Sequence, residues 1–341
     1  MKKKTLMKTF AAVSAMTLLL AGCGSNKSSG SAQSSEDGTI ELRLASHVPE
    51  NHSTNKEYIE KFIELVESKS DGKVTVENYP NGQLGGQREL LEALELGSLD
   101  MSYSDVGLLA NYDESIGILD LPFIFEDLDH ADKALVDGVA EKIKAKIEES
   151  SQIKSISIIP VAFRGTLLKD EKIESVEDFK GLKIRVPESP VIVETFKALG
   201  ANPVSIPSGE AYTAIQTDVV SGMEGHKEFI YSIKTQEVAK QWIETKHNLT
   251  FNTINISDKV FNNLTEDVQS ILLEAAEEAA VHFHEKNKEI DGEYKEILKG
   301  EGVAFSEMDL EQLRKKTEPM IKKFISDNNA QDIFEIIENS K

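Results

Sequence analysis

The sequence predicts an α/β protein, and three features of its hydrophobic pattern support this fold class. Residues 40–104 alternate between strand-like runs and stretches with helical spacing, which is typical of a lobe with a sheet between helices. Residues 154–163 are almost continuously apolar, as expected for a strand buried on both faces. Residues 265–298 keep a helical pattern that would run for roughly 50 Å. That length exceeds one small lobe, so the helix either bridges two lobes or is kinked.

Composition limits the classes of partner. The chain has 341 residues, enough for two domains or one large one, and 40% of them are hydrophobic. Its formal net charge of −21 argues against nucleic acid or an anionic membrane surface as the main partner. A small anionic ligand is still compatible with this charge, because a pocket needs only a few local cations. The single cysteine excludes an internal disulfide.

The N-terminus predicts a lipoprotein signal peptide at residues 1–22. Four lysines precede an apolar stretch at residues 10–21, which is too short to span a bilayer as a helix. Leu-Ala-Gly directly before Cys23 is typical of a bacterial lipobox, in which the cysteine carries a diacylglyceryl anchor. Cleavage there would remove the four lysines and no acidic residue, and change the net charge from −21 to −25. The alternative is an ordinary secretory signal with a chance cysteine.

Residues 23–38 are rich in serine and glycine and predict a flexible tether between the lipid and the folded body. We therefore expect a protein anchored to the extracytoplasmic side of the membrane by its lipid alone. The absence of a predicted membrane span favours the outer surface of a Gram-positive cell.

The folded body contains alternating elements. Ser53 or Thr54 is expected to cap the first helix, and Thr265 the long one, whose second and third residues are acidic and suit the helix dipole. Predicted strands cover residues 40–45, 74–76, 99–104, 154–163, 184–187, 203–206, 249–256 and 303–305. Predicted helices cover residues 54–71, 89–96, 131–148, 189–199, 209–217, 227–240, 265–298, 309–325 and 330–338.

Arginine is scarce in this chain, and its placement is informative. Only five arginines occur, and two of them, Arg164 and Arg185, lie at or inside apolar strand-like runs. The planar guanidinium grips a carboxylate through two parallel hydrogen bonds, which a lysine does not do. We expect Arg185 to hold a carboxylated ligand. The alternative is a strand arginine that pairs with a nearby Asp or Glu.

The chain resembles the solute-binding receptors of TRAP (tripartite ATP-independent periplasmic) transporters over residues 40–325. Each matching motif is moderately specific, and their ordered set is strong. The motifs are YPNGQLG at 79–85, GSLDM at 97–101, LPF at 121–123, KGLKIRVP at 180–187, GANP at 200–203 and EAYTAIQ at 210–216.

This resemblance implies a bilobal, periplasmic-binding-protein-like α/β fold with hinge strands and a long helix spanning both lobes. Lobe I is expected to hold residues 39–161 and about 251–290, and lobe II residues 162–250 and about 291–341. The lobes are expected to close over an organic acid.

The resemblance also implies the ligand-binding residues. The family's carboxylate-binding arginine maps onto Arg185, and a second basic position maps onto Arg164. We expect these two guanidinium groups to converge from neighbouring strands. Further pocket positions implied by the family's loops are His47, Asp105 and Glu188.

Two positions depart from the family pattern. Gly225 stands where the family has an asparagine near the ligand, and Ser208 where some members have an aromatic residue. Glycine has no side-chain hydrogen bond to give, and both residues are small. These changes favour a hydroxylated ligand such as a sugar acid.

Other chemistries have little support. His47, His52 and Glu50 lie on one loop without a second cluster, so we expect no metal and no cofactor. A Gly-Xaa-Ser-Xaa-Gly nucleophile motif is absent from the sequence, and we expect that the protein is not an enzyme.

The sequence therefore predicts a monomeric extracytoplasmic receptor. It would capture an organic acid, either a sugar acid such as a uronate or a C4-dicarboxylate, and deliver it to a TRAP membrane permease. The alternatives are a surface enzyme acting on a carboxylated sugar, which would need a carboxylate pair or nucleophile near the arginines, and a ligand-sensing partner of a signalling receptor.

Overall fold

The structure is a computed structural model that describes residues 33–34 and 38–341. The predicted signal peptide, Cys23 and most of the predicted tether lie outside the described residues. No helix within residues 38–341 is both long enough and apolar enough to cross a membrane.

The strands of the described residues form two separate sheets, and we call the parts of the protein built on them lobe I and lobe II. The strands are β1 (Gln33–Ser34), β2 (Ile40–Ser46), β3 (Val74–Tyr79), β4 (Met101–Asp105), β5 (Ile153–Ser155), β6 (Ile159–Phe163), β7 (Gly165–Leu168), β8 (Lys183–Val186), β9 (Asn202–Ser205), β10 (Gly222–Gly225), β11 (Gln241–Glu244), β12 (Leu249–Ser257) and β13 (Ala304–Glu307).

Helices surround both sheets. They are α1 (Glu60–Lys69), α2 (Gln87–Leu96), α3 (Val106–Leu109), α4 (Leu128–Ala134), α5 (Ala140–Ser150), α6 (Pro190–Ala198), α7 (Ala211–Gln216), α8 (Lys227–Ser232), α9 (Asp258–Asn263), α10 (Glu266–Asn287), α11 (Ile290–Gly300), α12 (Leu310–Asp327) and α13 (Gln331–Asn339).

Lobe I is built on a seven-stranded sheet in the order β1-β2-β4-β12-β5, with β3 also paired to β2 and β6 to β12. β2 runs parallel to β3 and β4. Parallel neighbours need a crossover connection, and α1 and α2 supply it here. The alternation predicted for residues 40–104 is therefore confirmed. β12 runs antiparallel to β4, β5 and β6.

Lobe II is built on a six-stranded sheet in the order β13-β11-β7-β10-β8-β9. β8 is parallel to both of its neighbours, β9 and β10. β7 is antiparallel to β10 and β11. This order places β10 between the strand that follows Arg164 and the strand that contains Arg185.

Two chain segments cross side by side from one lobe to the other. Arg164 alone separates β6 of lobe I from β7 of lobe II, and residues 245–248 connect β11 of lobe II to β12 of lobe I. The Arg164 N–H donates to the Asn248 carbonyl at 2.9 Å, so the two crossings are hydrogen-bonded to each other. Crossing strands of this kind are the hinge elements of a bilobal protein.

The predicted long helix is present, but it is kinked. α10 packs on α1 in lobe I, and α11 packs on α8 in lobe II. The two helices are separated at residues 288–289. Just before this break, the buried Asn287 side-chain amide donates to the Val161 carbonyl of β6 at 2.5 Å. The break therefore lies beside one of the crossing strands.

Two predicted elements are corrected. The predicted helix 227–240 ends at Ser232, because Lys234 adopts a left-handed φ of 61° that interrupts the helical run. β11 follows and was not predicted. The predicted strand 154–163 is two strands, β5 and β6, and both pair with β12.

The C-terminal helices contact both lobes. Leu313 of α12 packs with Phe179 in a lobe II core, whereas Ile333 of α13 packs with Ala131 in a lobe I core. The lobe boundaries drawn from the sequence stay a prediction. From these contacts we propose that residues 331–339 belong with lobe I.

Close strand packing in lobe II makes Gly222 of β10 a sensitive position. A Cβ there would lie 2.1 Å from the Leu167 carbonyl oxygen and 2.9 Å from the Leu168 Cα. Backbone atoms yield less than side chains, so Gly222→Ala should lower the free energy of unfolding by about 1–3 kcal/mol in urea denaturation.

Gly292→Ala in α11 is the matched control, because nothing lies within 4 Å of its added Cβ. That variant should be as stable as the wild type or slightly more so, since alanine favours a helix. Equal stability of the two variants would contradict the packing described for β10.

Candidate functional site

A small cavity lies between the lobes, next to the two crossing strands. Its volume is about 20 Å³, space for little more than one water molecule. Side chains of both lobes form its wall. The lining residues are His47, Val48, His52, Thr54, Gln87, Tyr103, Asp105, Arg164, Arg185, Pro187, Ser208, His226, Phe229, Thr250 and Asn252.

Arg185 brings a buried cation to this cavity. It is only 2% exposed, and its Nε donates to the Ile206 carbonyl at 2.8 Å. Within residues 38–341, its Nη atoms form neither an ion pair nor a hydrogen bond. Burial lowers the pKa of Arg185 to about 10, with the Glu224 carboxylate opposing this shift and the Arg164 charge adding to it. An unpaired buried cation is costly, so the site favours an anion at this point.

Arg164 also lines the cavity, but its fork is engaged. Nε donates to Glu224 Oε2 at 2.5 Å and Nη2 donates to Oε1 at 2.6 Å. Nη1 donates to the Thr250 hydroxyl at 3.1 Å. Burial on its own lowers the pKa of Arg164, but the charge and hydrogen bonds of Glu224, together with the charges of Asp105 and Asp120, outweigh burial, and the pKa is raised. Arg164 and Glu224 thus form a bidentate buried ion pair.

Glu224 shows the complementary shift. Burial acts to raise the pKa of this carboxyl, but Arg164 and a hydrogen bond from His247 hold it at about 2. The His247 Nε2 lies 3.3 Å from Glu224 Oε2, and His247 belongs to the second crossing segment. The carboxylate therefore joins both crossings through charged and polar contacts.

The prediction that Arg164 and Arg185 lie on neighbouring strands is wrong, although both residues line the cavity. β10 lies between β7 and β8, and it carries Glu224. The sequence alone does not reveal this order, because β10 follows β8 in the chain and is inserted between two earlier strands. Glu224 takes up the charge of Arg164 and leaves Arg185 without a contacting carboxylate.

Removing the carboxylate charge of Glu224 should destabilise the fold. Glu224→Gln leaves the Arg164 guanidinium buried without its counter-ion, and breaking a buried pair costs about 3–5 kcal/mol. We expect a loss of this size in the free energy of unfolding, measured by denaturant titration at pH 7.

The control is Glu318→Gln, which breaks the solvent-exposed pair of Glu318 with Lys322. Exposed pairs contribute at most about 1 kcal/mol, so this variant should stay close to the wild type. A Glu224→Gln variant that is no less stable than the control would show that the buried pair does not support the hinge.

His47 and Asp105 lie together on the lobe I side. His47 Nε2 is 3.8 Å from Asp105 Oδ1, and the His47 ring stacks on Tyr103 with centroids 6.1 Å apart. The Asn252 amide donates to Asp105 Oδ1 at 2.6 Å. Burial lowers the pKa of His47 and so favours the neutral imidazole, whereas the charge of Asp105 opposes this shift. No group of side chains in residues 38–341 has the arrangement of a metal site.

Of the seven predicted ligand-binding residues, five line the cavity and two do not. The five are His47, Asp105, Arg164, Arg185 and Ser208. Glu188 instead pairs with Arg88 of α2, Oε1 to Nε 2.9 Å, across the gap between the lobes. Gly225 does not line the cavity, and a Cβ on it would lie 3.6 Å from Phe229 Cδ1. The ligand role of all seven residues stays a prediction.

Several lining residues were missed by the sequence reasoning. Thr250 and Asn252 lie on β12, which is buried along its whole length. Two polar residues on the same face of a fully buried strand are a signal that this face meets something polar. His52 was considered only as a metal ligand, and His226 has no sequence signal beyond its position after Gly225.

Polar contacts join the lobes around the cavity. Ser53 of lobe I donates to Glu228 of α8 through its N–H at 2.7 Å and its hydroxyl at 2.5 Å. The Ser189 hydroxyl at the start of α6 donates to Asp120 of lobe I at 2.6 Å. Both carboxylates are buried. The lobes are therefore held close together in this structure.

Asp120 makes stability depend on pH. Burial raises its pKa to about 7, while the Ser189 hydrogen bond and Arg164 oppose the shift. The folded protein then keeps this proton up to about pH 7, whereas the unfolded chain loses it near pH 4. Because the folded state binds more protons in this interval, stability falls as pH rises, by at most about 1.4 kcal/mol per unit.

Asp120→Asn should remove this slope. The asparagine carbonyl still accepts the Ser189 hydrogen bond but has no charge to bury. The free energy of unfolding of the variant, relative to the wild type, should rise between pH 4 and pH 7 and then level off. Denaturant titrations at several pH values measure this difference, and a difference that does not change with pH would contradict the buried-proton account.

The chain is similar to known proteins in both sequence and fold. The model of the family described as bacterial extracellular solute-binding protein, family 7, matches residues 45–328. A solute-binding protein of Sulfitobacter sp. (strain NAS-14.1) is 32% identical over 299 residues, which cover 87% of this chain and 90% of that protein.

Solved structures agree. A TRAP periplasmic solute-binding protein from Haemophilus influenzae RdAW with bound L-gulonate is 27% identical, with a TM-score of 0.84, and the match covers 88% of this chain and 99% of that one. A second, from Polaromonas sp. JS666 with bound D-erythronate, is 26% identical, with a TM-score of 0.83 and coverage of 87% and 98%.

Proposed function

The chain belongs to bacterial extracellular solute-binding protein family 7, the solute-binding receptors of TRAP transporters, and we propose that it captures a sugar acid. Members of this family are receptors and not enzymes, which sets aside the alternative of an enzyme acting on a carboxylated sugar. The observation that carries the proposed ligand class is Arg185, a buried cation with no contacting carboxylate recorded in residues 38–341.

Arg185 binds the ligand carboxylate in this proposal. Its Nε is fixed by the Ile206 carbonyl, so the Nη groups are oriented before the ligand arrives. Closure of the lobes removes water around the pair and strengthens it. Arg164 stays a predicted second contact through the N–H groups that Glu224 and Thr250 do not engage.

The charges of the lining residues favour a sugar acid over a C4-dicarboxylate. A second ligand carboxylate needs a second unengaged cation, and the fork of Arg164 is already used by Glu224. The rest of the wall includes neutral groups that bond to hydroxyls, among them Gln87, Ser208 and Asn252. Two related receptors hold L-gulonate and D-erythronate, which are hydroxylated acids with one carboxylate each.

The lobes must separate to admit such a ligand. The cavity of about 20 Å³ is far smaller than a sugar acid. The contacts of Glu228 with Ser53 and of Asp120 with Ser189 have to part, and the crossing strands have to bend. A ligand that contacts both lobes then stabilises the closed arrangement by its differential affinity.

We extend the proposal to delivery and anchoring. The receptor hands its ligand to a TRAP permease, as its family membership supports. Cys23 carries a lipid that holds the protein on the extracytoplasmic side of the membrane, which the lipobox sequence supports. The protein acts as a monomer.

The test is the affinity of Arg185 variants for acids found by a thermal-shift screen of L-gulonate, D-glucuronate, D-erythronate and succinate. A true ligand at 100 times its Kd should stabilise the wild type by about 2.7 kcal/mol. Arg185→Ala should weaken binding of that acid by about 2–5 kcal/mol in calorimetry, because the carboxylate loses its only fork. Arg185→Lys should recover part of this, since it restores charge without the fork.

Arg314→Ala on the exposed face of α12 is the matched control and should bind like the wild type. The ligand-free Arg185→Ala protein should be at least as stable as the wild type, because an uncompensated buried charge has been removed. A screen in which no acid stabilises the protein would count against the proposed function, as would an Arg185→Ala variant that binds normally.

A further inference from the structure

Two buried histidines line the cavity on the side where the loop after β2 meets the start of α8. His52 belongs to lobe I and is 1% exposed, and His226 directly precedes α8 in lobe II. Their ring centroids are 5.4 Å apart, and the rings are nearly perpendicular, at 83°. The pair therefore closes the cavity from both lobes at once.

Hydrogen bonding determines which nitrogen of His52 carries the proton. The Thr54 backbone N–H donates to His52 Nδ1 at 3.2 Å. A backbone N–H only donates, so Nδ1 is an acceptor and the neutral ring has its proton on Nε2. Burial lowers the pKa of His52 and so favours the neutral ring, whereas the charge of Glu228 opposes this shift. Its buried Nε2 has no hydrogen-bond partner among the described residues.

His226 is arranged in the same way. The Phe229 backbone N–H donates to His226 Nδ1 at 3.4 Å, so the Nε2 of this ring carries the proton as well. Burial lowers its pKa well below the ordinary value, and the neighbouring His52 adds to that shift. For residues 38–341, no hydrogen bond to this Nε2 is recorded. Both residues line the cavity, and each neutral ring keeps an Nε2–H that has no hydrogen-bond acceptor among the described residues.

A carboxylate behind the pair restricts what these donors accept. Glu228 Oε2 lies 3.7 Å from His52 Nε2, too far for a hydrogen bond. Ser53 holds Glu228 in place through its N–H and its hydroxyl. A ligand carboxylate at this end would be repelled by the like charge of Glu228, whereas an uncharged hydroxyl would meet no such repulsion and can accept a hydrogen bond from the neutral rings.

We propose that His52 and His226 form a hydroxyl-binding subsite that selects polyhydroxylated monocarboxylic acids over dicarboxylic acids. This inference rests on the proposed function, because it assumes that Arg185 holds the ligand carboxylate. Each Nε2–H donates to a ligand hydroxyl oxygen and gains the hydrogen bond that it lacks within the protein. A site built to bond a hydroxyl rejects an analogue without it, since its buried donors are then left unpaired.

The test pairs histidine variants with deoxy ligands. The variants are His52→Ala, His226→Ala and His52→Gln, in which the glutamine amide offers a donor close to the position of Nε2. The ligands are the tightest binder among L-gulonate, D-glucuronate and D-erythronate, its deoxy analogues that each lack one hydroxyl, and D-glucarate, which has a carboxylate at both ends. Calorimetry on the full extracytoplasmic chain gives the Kd values.

The expected result is a specific coupling. His52→Ala should weaken the binding of the parent acid by about 10-fold. At least one deoxy analogue should bind the wild type about 10-fold more weakly than the parent acid does, and His52→Ala should leave the affinity for this analogue unchanged. His226→Ala should behave likewise, and His52→Gln should restore most of the loss. D-glucarate should bind the wild type more weakly than the parent acid.

The variants His130→Ala and Arg185→Ala distinguish failure of the subsite from failure of the proposed function. His130→Ala removes a buried histidine outside the cavity lining and should leave every Kd unchanged, whatever its effect on melting temperature. Equal losses for the parent acid and all of its deoxy analogues, or no loss at all, would overturn the subsite. If no sugar acid binds the wild type, or if Arg185→Ala binds normally, the proposed function fails instead. Binding that depends on Arg185 but shows no coupling to a hydroxyl defeats the subsite alone.

Discussion

The bidentate ion pair between Arg164 and Glu224 is the interaction on which the centre of this molecule depends. Arg164 is the single residue between β6 and β7, so it lies where the chain leaves one sheet for the other. Desolvating both charges is costly, and the pair is tolerated because its geometry is good and its remaining groups bond to Thr250 and His247. Through these partners a single carboxylate connects both crossing segments. The two crossing segments thus share one polar centre.

The same pair determines the electrostatics of the cavity. Glu224 is paired with Arg164. The neighbouring Arg185 is therefore a buried cation without a contacting carboxylate in the described part of the chain. A protein with a net charge of −21 thereby presents local positive charge to an anion. Most of the other polar side chains that line the cavity are uncharged, and in the proposed function they select the ligand by hydrogen bonding. Charge supplies the attraction in such a site, and the neutral groups supply selectivity.

How much of this was predictable depends on how local each feature is. Arg185 stood out because a guanidinium is unusual inside an apolar strand, and the ordered motifs around it identified the family. The two positions that depart from the family pattern differ in their placement, because Ser208 lines the cavity and Gly225 does not. Glu188 lies two residues after the Arg185 strand, and its side chain pairs with Arg88 in the other lobe. His52 and His226 lie 174 positions apart in the chain, and their rings meet because the two lobes contact each other at this point.

The sequence by itself determined the α/β class, the family and the long helical connection, because these follow from periodicity and from short contiguous motifs. It also singled out Arg185 as the candidate ligand-binding arginine. The tertiary structure decided which arginine is unpaired. β10 enters the sheet between β7 and β8, and the insertion of a later strand between earlier ones places Glu224 against Arg164 rather than Arg185. Strand order arises from packing between distant segments, and no local pattern encodes it. The charge available to a ligand is therefore a property of the sheet and not of the motif that contains Arg185.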